Sequence, residues 1–259
     1  MQADYIPGRF AYNASARRAG NFLKMIAFAP AGFVDALRGQ CVNHSSQSRW
    51  RAGYTGFAAA TFWFALIVQF LLSLQRSYAA GTGVLHALWA YFAYFTILTN
   101  LLAASALASR VLAPQSRLAV FCARPGVIAA LLAYMLLVGI AYHLLLRHTW
   151  QPEGWQWGAD VLLHSVNPAL FVGYWWSQGR GEAIGYSAIL IWICYPLAYF
   201  AYALARGLAG AGYAYPFIDV DALGLARVLG NAVAIALGFA FVAANLIALG
   251  RRAPREHSS

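Results

Sequence analysis

Five polar residues within two apolar stretches carry the chemistry that this sequence offers. Thr96 and Asn100 stand four residues apart in one stretch, and Asp160, His164 and Asn167 stand at i, i+4 and i+7 in another. Residues at these spacings share one face of a helix. A neutral imidazole can take the proton of a hydroxyl group and so activate it as a nucleophile. The pattern is therefore compatible with Thr96 as a nucleophile and His164 as its base.

The other three residues fit supporting roles in the same chemistry. Asp160, one helical turn before His164, is spaced to orient the imidazole like the acid of a catalytic triad. Asn100 or Asn167 could stabilise an oxyanion. A structural interpretation competes with this one, because Thr and Asn also bridge membrane helices through hydrogen bonds worth about 0.6 kcal/mol each. The residues alone leave both interpretations open.

Depth along the two helices decides whether the pair can meet. Thr96 lies eight residues after Leu88, about 12 Å along a helix axis, and His164 lies seven residues after Trp157, about 10 Å along its own. We therefore expect the two side chains at nearly equal depth, so that they meet if their helices are neighbours.

Composition assigns these helices to a membrane protein. Of 259 residues, 61% are hydrophobic and 10% are charged, whereas a soluble domain carries about 25% charged residues. Six runs reach the length of about 20 residues that crosses a bilayer, and a backbone in lipid must pair internally. The sequence therefore predicts an all-α polytopic bundle of six transmembrane helices, with a kink at Pro196. The predicted helices are Ala52–Gln75, Leu88–Ser109, Pro125–Leu146, Trp157–Ser177, Ile184–Ala205 and Val228–Leu249.

Basic residues predict the orientation of the bundle. With the N-terminus inside, fourteen of the 18 Lys and Arg residues fall on the inner side and four on the outer side, as the positive-inside rule requires. We therefore expect both termini on the cytoplasmic side of the cell membrane. The domains expected are a basic extension (residues 1–51), the transmembrane domain (52–250) and a short basic tail (251–259). The net charge of +10 fits this topology and attraction to anionic lipid headgroups, not a nucleic-acid partner.

Metal and cofactor chemistry find little support in the sequence. The chain has three cysteines and no CxxC motif. His143 and His148 stand five residues apart and do not share a helix face, although His143 could approach His164. We expect no metal and no organic cofactor; the expected partners are membrane lipids, with a hydrophobic acyl chain as a candidate ligand. The oligomeric state is left open.

Three short motifs stand in order between residues 88 and 249. They are Tyr94-Phe95-Thr96-Ile97-Leu98-Thr99-Asn100-Leu101, His164 followed by Pro168, and Gly212-Tyr213-Ala214-Tyr215-Pro216-Phe217-Ile218-Asp219. In these motifs the chain resembles the androgen-induced protein family of multi-pass membrane proteins, and it looks like a bacterial relative of that family. Animal members are hydrolases of fatty acid esters of hydroxy fatty acids and use an intramembrane threonine and a histidine.

The resemblance implies that Thr96 is the nucleophile and His164 the general base. It makes Tyr215-Pro216-Phe217 a family landmark without a known catalytic part. The chain departs from the animal enzymes in Asp160, in its second threonine, Thr99, and in a spacing from histidine to proline that is one residue shorter. The expected function is a lipid-ester hydrolase that acts within the membrane. The alternatives are a catalytically silent scaffold or lipid-binding protein and a small-molecule carrier.

Overall fold

The computed structural model describes residues 31–178 and 184–252, and the side chains of residues 49–178 and 184–251. The chain divides into two compact units, Met1–Trp50 and Arg51–Ser259, and the second contains every candidate site residue. Most of the predicted extension, residues 1–30, lies outside the described residues, as does the predicted tail from residue 253 onwards.

The described residues form helices joined by turns, with no strand among them. Several of these helices are long and apolar, so the predicted all-α polytopic bundle is confirmed and the protein is an integral membrane protein. In chain order the helices are α1 (Ala31–Ala79), α2 (Gly83–Tyr91), α3 (Phe95–Leu112), α4 (Arg117–Cys122), α5 (Pro125–Leu146), α6 (residues 154–178), α7 (Ala188–Ala211), α8 (Val220–Leu223) and α9 (Leu225–Arg252).

Among the described residues, five helices rather than the predicted six are long and apolar enough to cross a membrane. The difference lies in the predicted span Trp157–Ser177, which forms most of α6. This helix runs without interruption from residue 154 to residue 178, but Asp160, His164 and Asn167 make it more polar than the others. The five apolar helices are Arg49–Ala79 within α1, together with α3, α5, α7 and Leu225–Arg251 within α9.

α6 lies against α1 along its length. Gln156, near the start of α6, donates to Gln69 at 2.9 Å, and Gln178, at the end of α6, donates to Thr55 at 2.9 Å. The two helices are therefore antiparallel. A polar helix is kept in an apolar bundle because its polar groups face neighbouring helices; the side chain of Asp160, for example, is buried.

The predicted second span, Leu88–Ser109, is interrupted just before Thr96. α2 ends at Tyr91 and α3 begins at Phe95, with Tyr94 extended (φ −100°, ψ 133°) as the N-cap residue. Thr96 is thus the second residue of α3. The backbone N–H groups of a first helical turn have no partner within the helix. The interruption therefore leaves the N–H of Thr96 without a helical partner, whereas in an unbroken span this N–H would bond to a carbonyl four residues earlier.

Two tyrosines of α7 stabilise this interruption. Tyr199 donates to the carbonyl oxygen of Ala93 at 2.7 Å, and Tyr202 donates to that of Phe92 at 3.2 Å. Carbonyl groups freed from a helix must find partners inside a membrane protein. The hydroxyl groups of α7 therefore explain how the chain tolerates a break next to the candidate site.

A proline shapes the part of α6 that carries His164. Pro168 has no N–H for the carbonyl of His164, four residues earlier, and α6 widens into a π turn at Leu162–Val166. Such π bulges occur frequently at functional sites. Gly139 of α5 lies directly against this turn, because a Cβ atom there would be 3.2 Å from the His164 carbonyl oxygen. α5 therefore approaches α6 closely at the level of His164.

Candidate functional site

Thr96 and His164 meet between α3 and α6. The Thr96 Oγ1 atom lies 3.2 Å from the His164 Nε2 atom, within hydrogen-bonding distance. Thr96 is 7% exposed, and the His164 side chain is 14% exposed. The structure thus brings together the two residues that the sequence analysis selected as nucleophile and base.

Asp160 fixes the orientation and tautomer of the imidazole. The His164 Nδ1 atom lies 3.2 Å from the Asp160 Oδ1 atom and 3.0 Å from the Asp160 carbonyl oxygen. Both neighbours are hydrogen-bond acceptors, so Nδ1 carries the proton of the neutral ring. The Nε2 lone pair then faces the hydroxyl of Thr96. This is the order of groups in a hydroxyl–imidazole–carboxylate triad.

Tyr142 of α5 completes this arrangement, and the sequence analysis missed it. Its hydroxyl donates to the Asp160 Oδ2 atom, and its ring stacks on the His164 ring with centroids 4.0 Å apart at an angle of 14°. Tyr142 lies four residues from the outer end of the third predicted span, close to the depth of Asp160, but the sequence does not show that these two helices are neighbours. Its neighbour His143 instead contacts Ser165, at 3.0 Å.

The two asparagines lie one helical turn from the pair and bridge α3 to α6. The Asn100 Nδ2 atom donates to the carbonyl oxygens of Thr96 at 2.9 Å and Leu163 at 3.4 Å. Asn167 donates to the Asn100 Oδ1 atom at 2.8 Å, and both asparagines are fully buried. Both amide hydrogens of Asn100 are engaged by carbonyl oxygens, so none is left to donate to an oxyanion. Asn100 instead holds α3 against α6.

The second threonine of the motif lies on a different face of α3. Thr99 is fully buried, and its hydroxyl lies 3.1 Å from the Tyr195 hydroxyl of α7. The two threonines therefore have different partners: Thr96 faces the imidazole of His164, and Thr99 faces the phenol of Tyr195.

Two cavities meet at Thr96. One has a volume of about 90 Å³ and a mostly apolar wall, and the other has a volume of about 550 Å³ and a mixed, more polar wall. Thr96, Tyr142, Leu146 and Tyr215 line both. The apolar cavity is also lined by Val138, Ile193, Leu197, Phe200, Ala236 and Phe239. The polar cavity is also lined by Gln69, Ser73, Arg76, His86, Gln156 and Asp160.

The position of Thr96 between these cavities has a chemical consequence. A ligand with an apolar and a polar part can fill both spaces only if the bond between its parts lies near the Thr96 hydroxyl. His164 lines the polar cavity, so water in that cavity can also reach the imidazole. The arrangement can therefore support attack by Thr96 on a ligand, followed by attack of water at the same atom.

Metal ligands are not grouped in the described part of the chain: no set of three or more His, Cys, Asp or Glu residues there could hold a metal ion. Asp160 and His164 have protein partners that account for their geometry. The chemistry that these side chains can perform is acid–base and nucleophilic.

In comparisons with models of protein families, with curated proteins and with solved structures, nothing matches this chain.

Proposed function

We propose that this protein is a lipid-ester hydrolase that acts within the membrane, with Thr96 as its nucleophile. The observation that carries the proposal is the chain of contacts from Thr96 through His164 to Asp160. A threonine hydroxyl is a weak nucleophile unless a base accepts its proton. A base held by a carboxylate, next to a threonine between two cavities, has a direct chemical use that helix packing alone does not explain.

In the first half of the proposed reaction, the Thr96 oxygen attacks the ester carbonyl carbon, and the hydroxyl proton moves to His164 Nε2. The carbonyl π electrons become a lone pair on the oxyanion of a tetrahedral intermediate. When the intermediate collapses, the bond to the alcohol oxygen breaks, and the alcohol leaves with the proton from His164. Thr96 then carries the acyl group as an ester.

In the second half, water from the polar cavity attacks the acyl-threonine while His164 accepts its proton. Collapse releases the carboxylic acid and returns the proton to Thr96. Asp160 stabilises the imidazolium form of His164 in both halves. Tyr142, which donates to the second oxygen of that carboxylate, would hold Asp160 in place and so acts as a positioning residue.

The two cavities suggest how the ester is oriented. The apolar cavity beside Thr96 suits a fatty acyl chain, because burying methylene groups stabilises binding by about 0.8 kcal/mol each. The polar cavity suits the alcohol part and the hydrolytic water. Such a substrate is amphipathic and would reach the site from the lipid phase, so membrane lipids are the expected source of ligands.

We further propose that both termini face the cytoplasm of a cell membrane. The distribution of basic residues, fourteen against four, favours this orientation. It requires α6 to cross the membrane as a sixth, polar helix, which its antiparallel packing along α1 supports. The polar cavity, with Arg76 on its wall, would then lie towards the outer side.

The sequence resemblance supports the same chemistry. The three motifs that resemble the androgen-induced protein family include Thr96, His164 and Tyr215, and all three line the polar cavity. Membership of this family is part of the proposal. The substrate of a bacterial relative need not be the animal one, so the proposed substrate class is carboxylic esters with an apolar acyl chain.

The test is covalent labelling of the detergent-purified full-length chain by a fluorophosphonate probe, read together with hydrolysis of p-nitrophenyl esters. We expect wild type and Thr96→Ser to be labelled and Thr96→Ala to lose both labelling and turnover, because the attacking oxygen is gone. Thr99→Ala is the matched control, since it removes a buried hydroxyl three residues away that faces neither cavity, and it should still be labelled.

Two outcomes would contradict the proposal. Equal labelling of folded Thr96→Ala and wild type would remove Thr96 from the chemistry. A wild type that elutes as a folded protein but is neither labelled nor active on any ester would favour a silent scaffold or lipid-binding protein. Substrate-dependent flux through proteoliposomes would then separate these from a carrier.

A further inference from the structure

The attack of Thr96 on an ester creates a negative charge that none of the predicted residues is placed to stabilise. Oxyanions in acyl transfer are usually held by two hydrogen-bond donors fixed in advance. Both Asn100 amide hydrogens are engaged by carbonyls, and the Tyr142 hydroxyl donates to Asp160. The donors must therefore come from elsewhere at the junction of the two cavities.

Tyr215 reaches this junction from the turn between α7 and α8. It is 8% exposed and lines both cavities together with Thr96. Its hydroxyl is close enough to interact with the side chain and with the backbone of Thr96. Tyr215 and His164 are therefore both neighbours of the Thr96 hydroxyl.

The ring of Tyr215 is held in place by its surroundings. It stacks on Phe217 with centroids 5.1 Å apart at 7°, and its edge packs against Tyr94 at 5.8 Å. Asn231 of α9 donates to the Phe217 carbonyl oxygen at 2.8 Å, which ties the turn to the bundle. A donor fixed in this way needs little reorganisation when charge develops next to it.

The proton of Tyr215 is available to a ligand, because its partners in the free protein are neutral hydroxyl groups. Its hydroxyl interacts with Thr96 and with the Tyr199 hydroxyl, and Tyr199 donates its own proton to the carbonyl oxygen of Ala93. Burial raises the pKa of Tyr215, so the phenol keeps its proton at neutral pH. Tyr215 is thus a neutral donor whose hydroxyl partners an oxyanion can replace.

The backbone N–H of Thr96 supplies a second donor. Thr96 lies in the first turn of α3, an 18-residue helix, where N–H groups lack helical partners and the helix dipole favours negative charge. This N–H faces the oxygen of Tyr215. An oxyanion that enters between these two groups could therefore accept from both, in exchange for their contact with each other.

We propose that the Tyr215 hydroxyl and the Thr96 backbone N–H form the oxyanion hole of this site. The inference rests on the proposed function, because it assigns the stabilising contacts of the acyl transfer that begins at Thr96. During attack, the carbonyl oxygen gains the π electron pair and accepts these two hydrogen bonds, and it releases them when the carbonyl re-forms. The Tyr215 proton is shared but not transferred, so Tyr215 is unchanged after each turnover.

The experiment compares Tyr215→Phe with Tyr195→Phe in the full-length chain in detergent. Tyr215→Phe keeps the ring and its stacking but removes the donor, and loss of one oxyanion donor lowers kcat by about 10²- to 10³-fold. We expect this fall in kcat with little change in KM, and a matching fall in the rate of fluorophosphonate labelling, since the phosphoryl oxygen occupies the same hole.

Tyr195→Phe is the control, because it also removes a partly buried tyrosine hydroxyl next to α3, but one that contacts Thr99. It should label at nearly the wild-type rate. A further readout is inhibition by an alkyl trifluoromethyl ketone, whose adduct carries an oxyanion. Tyr215→Phe should weaken this inhibition and leave the binding of the product fatty acid unchanged, which a purely structural role would not achieve.

The outcomes separate this inference from the proposed function. If Thr96→Ala abolishes labelling while Tyr215→Phe labels and turns over like wild type, the oxyanion assignment is overturned and the nucleophile stands. If Tyr215→Phe weakens product binding as much as ketone inhibition, the residue shapes the pocket and the assignment is also overturned. If wild type itself is inert, the proposed function fails first and the inference with it.

Discussion

The same two helices, α3 and α6, carry two polar layers that differ in their access to the cavities. The first, the cavity layer, consists of Thr96, Asp160 and His164, which all line the polar cavity. The second, the amide layer, consists of Asn100 and Asn167, which are fully buried and line neither cavity. About one helical turn separates the layers, so sequence position alone hardly distinguishes them.

The difference shows how to interpret polar residues within a membrane. In the amide layer, each amide donates to a carbonyl oxygen of the facing or the same helix, which stabilises helix packing. In the cavity layer, Thr96 and His164 bond to each other and also face space that a ligand can enter. Of the two layers, only the cavity layer is accessible to a ligand, and it is the one that we propose for chemistry.

After the loss of the Thr96 hydroxyl itself, the largest effect in this comparison is expected from Asp160→Asn, which changes the charge of the cavity layer and keeps the size of the side chain. An amide cannot stabilise the imidazolium of His164, and it can favour the wrong tautomer of the ring. We expect kcat/KM for ester hydrolysis to fall by about 10³- to 10⁴-fold, as for the acid of a catalytic triad. Steady-state kinetics and the rate of fluorophosphonate labelling measure this change.

Asp221→Asn is the matched control for this substitution. Asp221 is an exposed carboxylate in the short helix α8 that lines neither cavity, so its loss should leave both rates unchanged. If folded Asp160→Asn labels as fast as wild type, Asp160 is a structural partner of Tyr142 and not the third member of a triad.

Local sequence patterns predicted the parts of this fold that depend on one helix. Pro196, which has no N–H for the carbonyl of Trp192, was expected to bend its helix with support from a neighbour. The helix is interrupted at Ile193, between Trp192 and Cys194, and the Tyr134 hydroxyl donates to the freed Trp192 carbonyl at 2.8 Å. Proline has this effect in any surroundings, so the sequence was sufficient.

The parts that depend on contacts between helices were not predictable in the same way. The break between α2 and α3 falls within an apolar run, and hydroxyl groups of α7 stabilise it, so hydropathy gave no signal. The count of six spans rested on length, whereas α6 is too polar to qualify by composition. Its polar side chains are buried against other helices, which only the packed bundle reveals.

The candidate site shows the same division. Helical spacing predicted the shared face of Asp160 and His164, and depth predicted the meeting with Thr96. Spacing could not show where the amide of Asn100 points, because the Leu163 carbonyl that it contacts belongs to another helix. Tyr142 was missed because it belongs to a third helix, α5, whose neighbours the sequence does not specify.

A smaller effect on kcat/KM is expected from a substitution that fills part of the apolar cavity. Ala236 of α9 lines this cavity, whereas Ala234 on the same helix is exposed on its outer surface. Ala236→Leu would fill space that the acyl chain needs. We expect kcat/KM for long-chain p-nitrophenyl esters to fall on the order of 10-fold relative to the acetate, the scale of discrimination by a hydrophobic pocket.

Ala234→Leu adds the same volume on the outer face of the helix and should leave the dependence on acyl length unchanged. If both variants change the dependence of kcat/KM on acyl length equally, the effect comes from a change in α9 as a whole and not from the cavity. If Ala236→Leu instead weakens acetate and long-chain esters alike, the acyl chain does not occupy this cavity, and the orientation proposed for the substrate is reversed.

The smallest effect on activity is expected from the amide layer, where the change should appear in stability. Asn167→Leu leaves the Asn100 Oδ1 atom without its donor, and Asn100→Leu removes the donor to the carbonyl oxygens of Thr96 and Leu163. Each single variant should lower the free energy of unfolding on the order of 1 kcal/mol. The double variant should lose less than the sum, because replacing both partners leaves neither amide unpaired.

Equilibrium unfolding in mixed micelles measures this double-mutant cycle, and ester hydrolysis per folded molecule is measured on the same samples. A non-additive loss of stability with retained turnover would assign the asparagines to packing. If Asn167→Leu instead abolishes turnover while the protein stays folded, the amide layer takes part in the chemistry. Access to a cavity would then no longer distinguish the two layers. The π turn at Leu162–Val166, which directly precedes Asn167, would be the segment that couples Asn167 to His164.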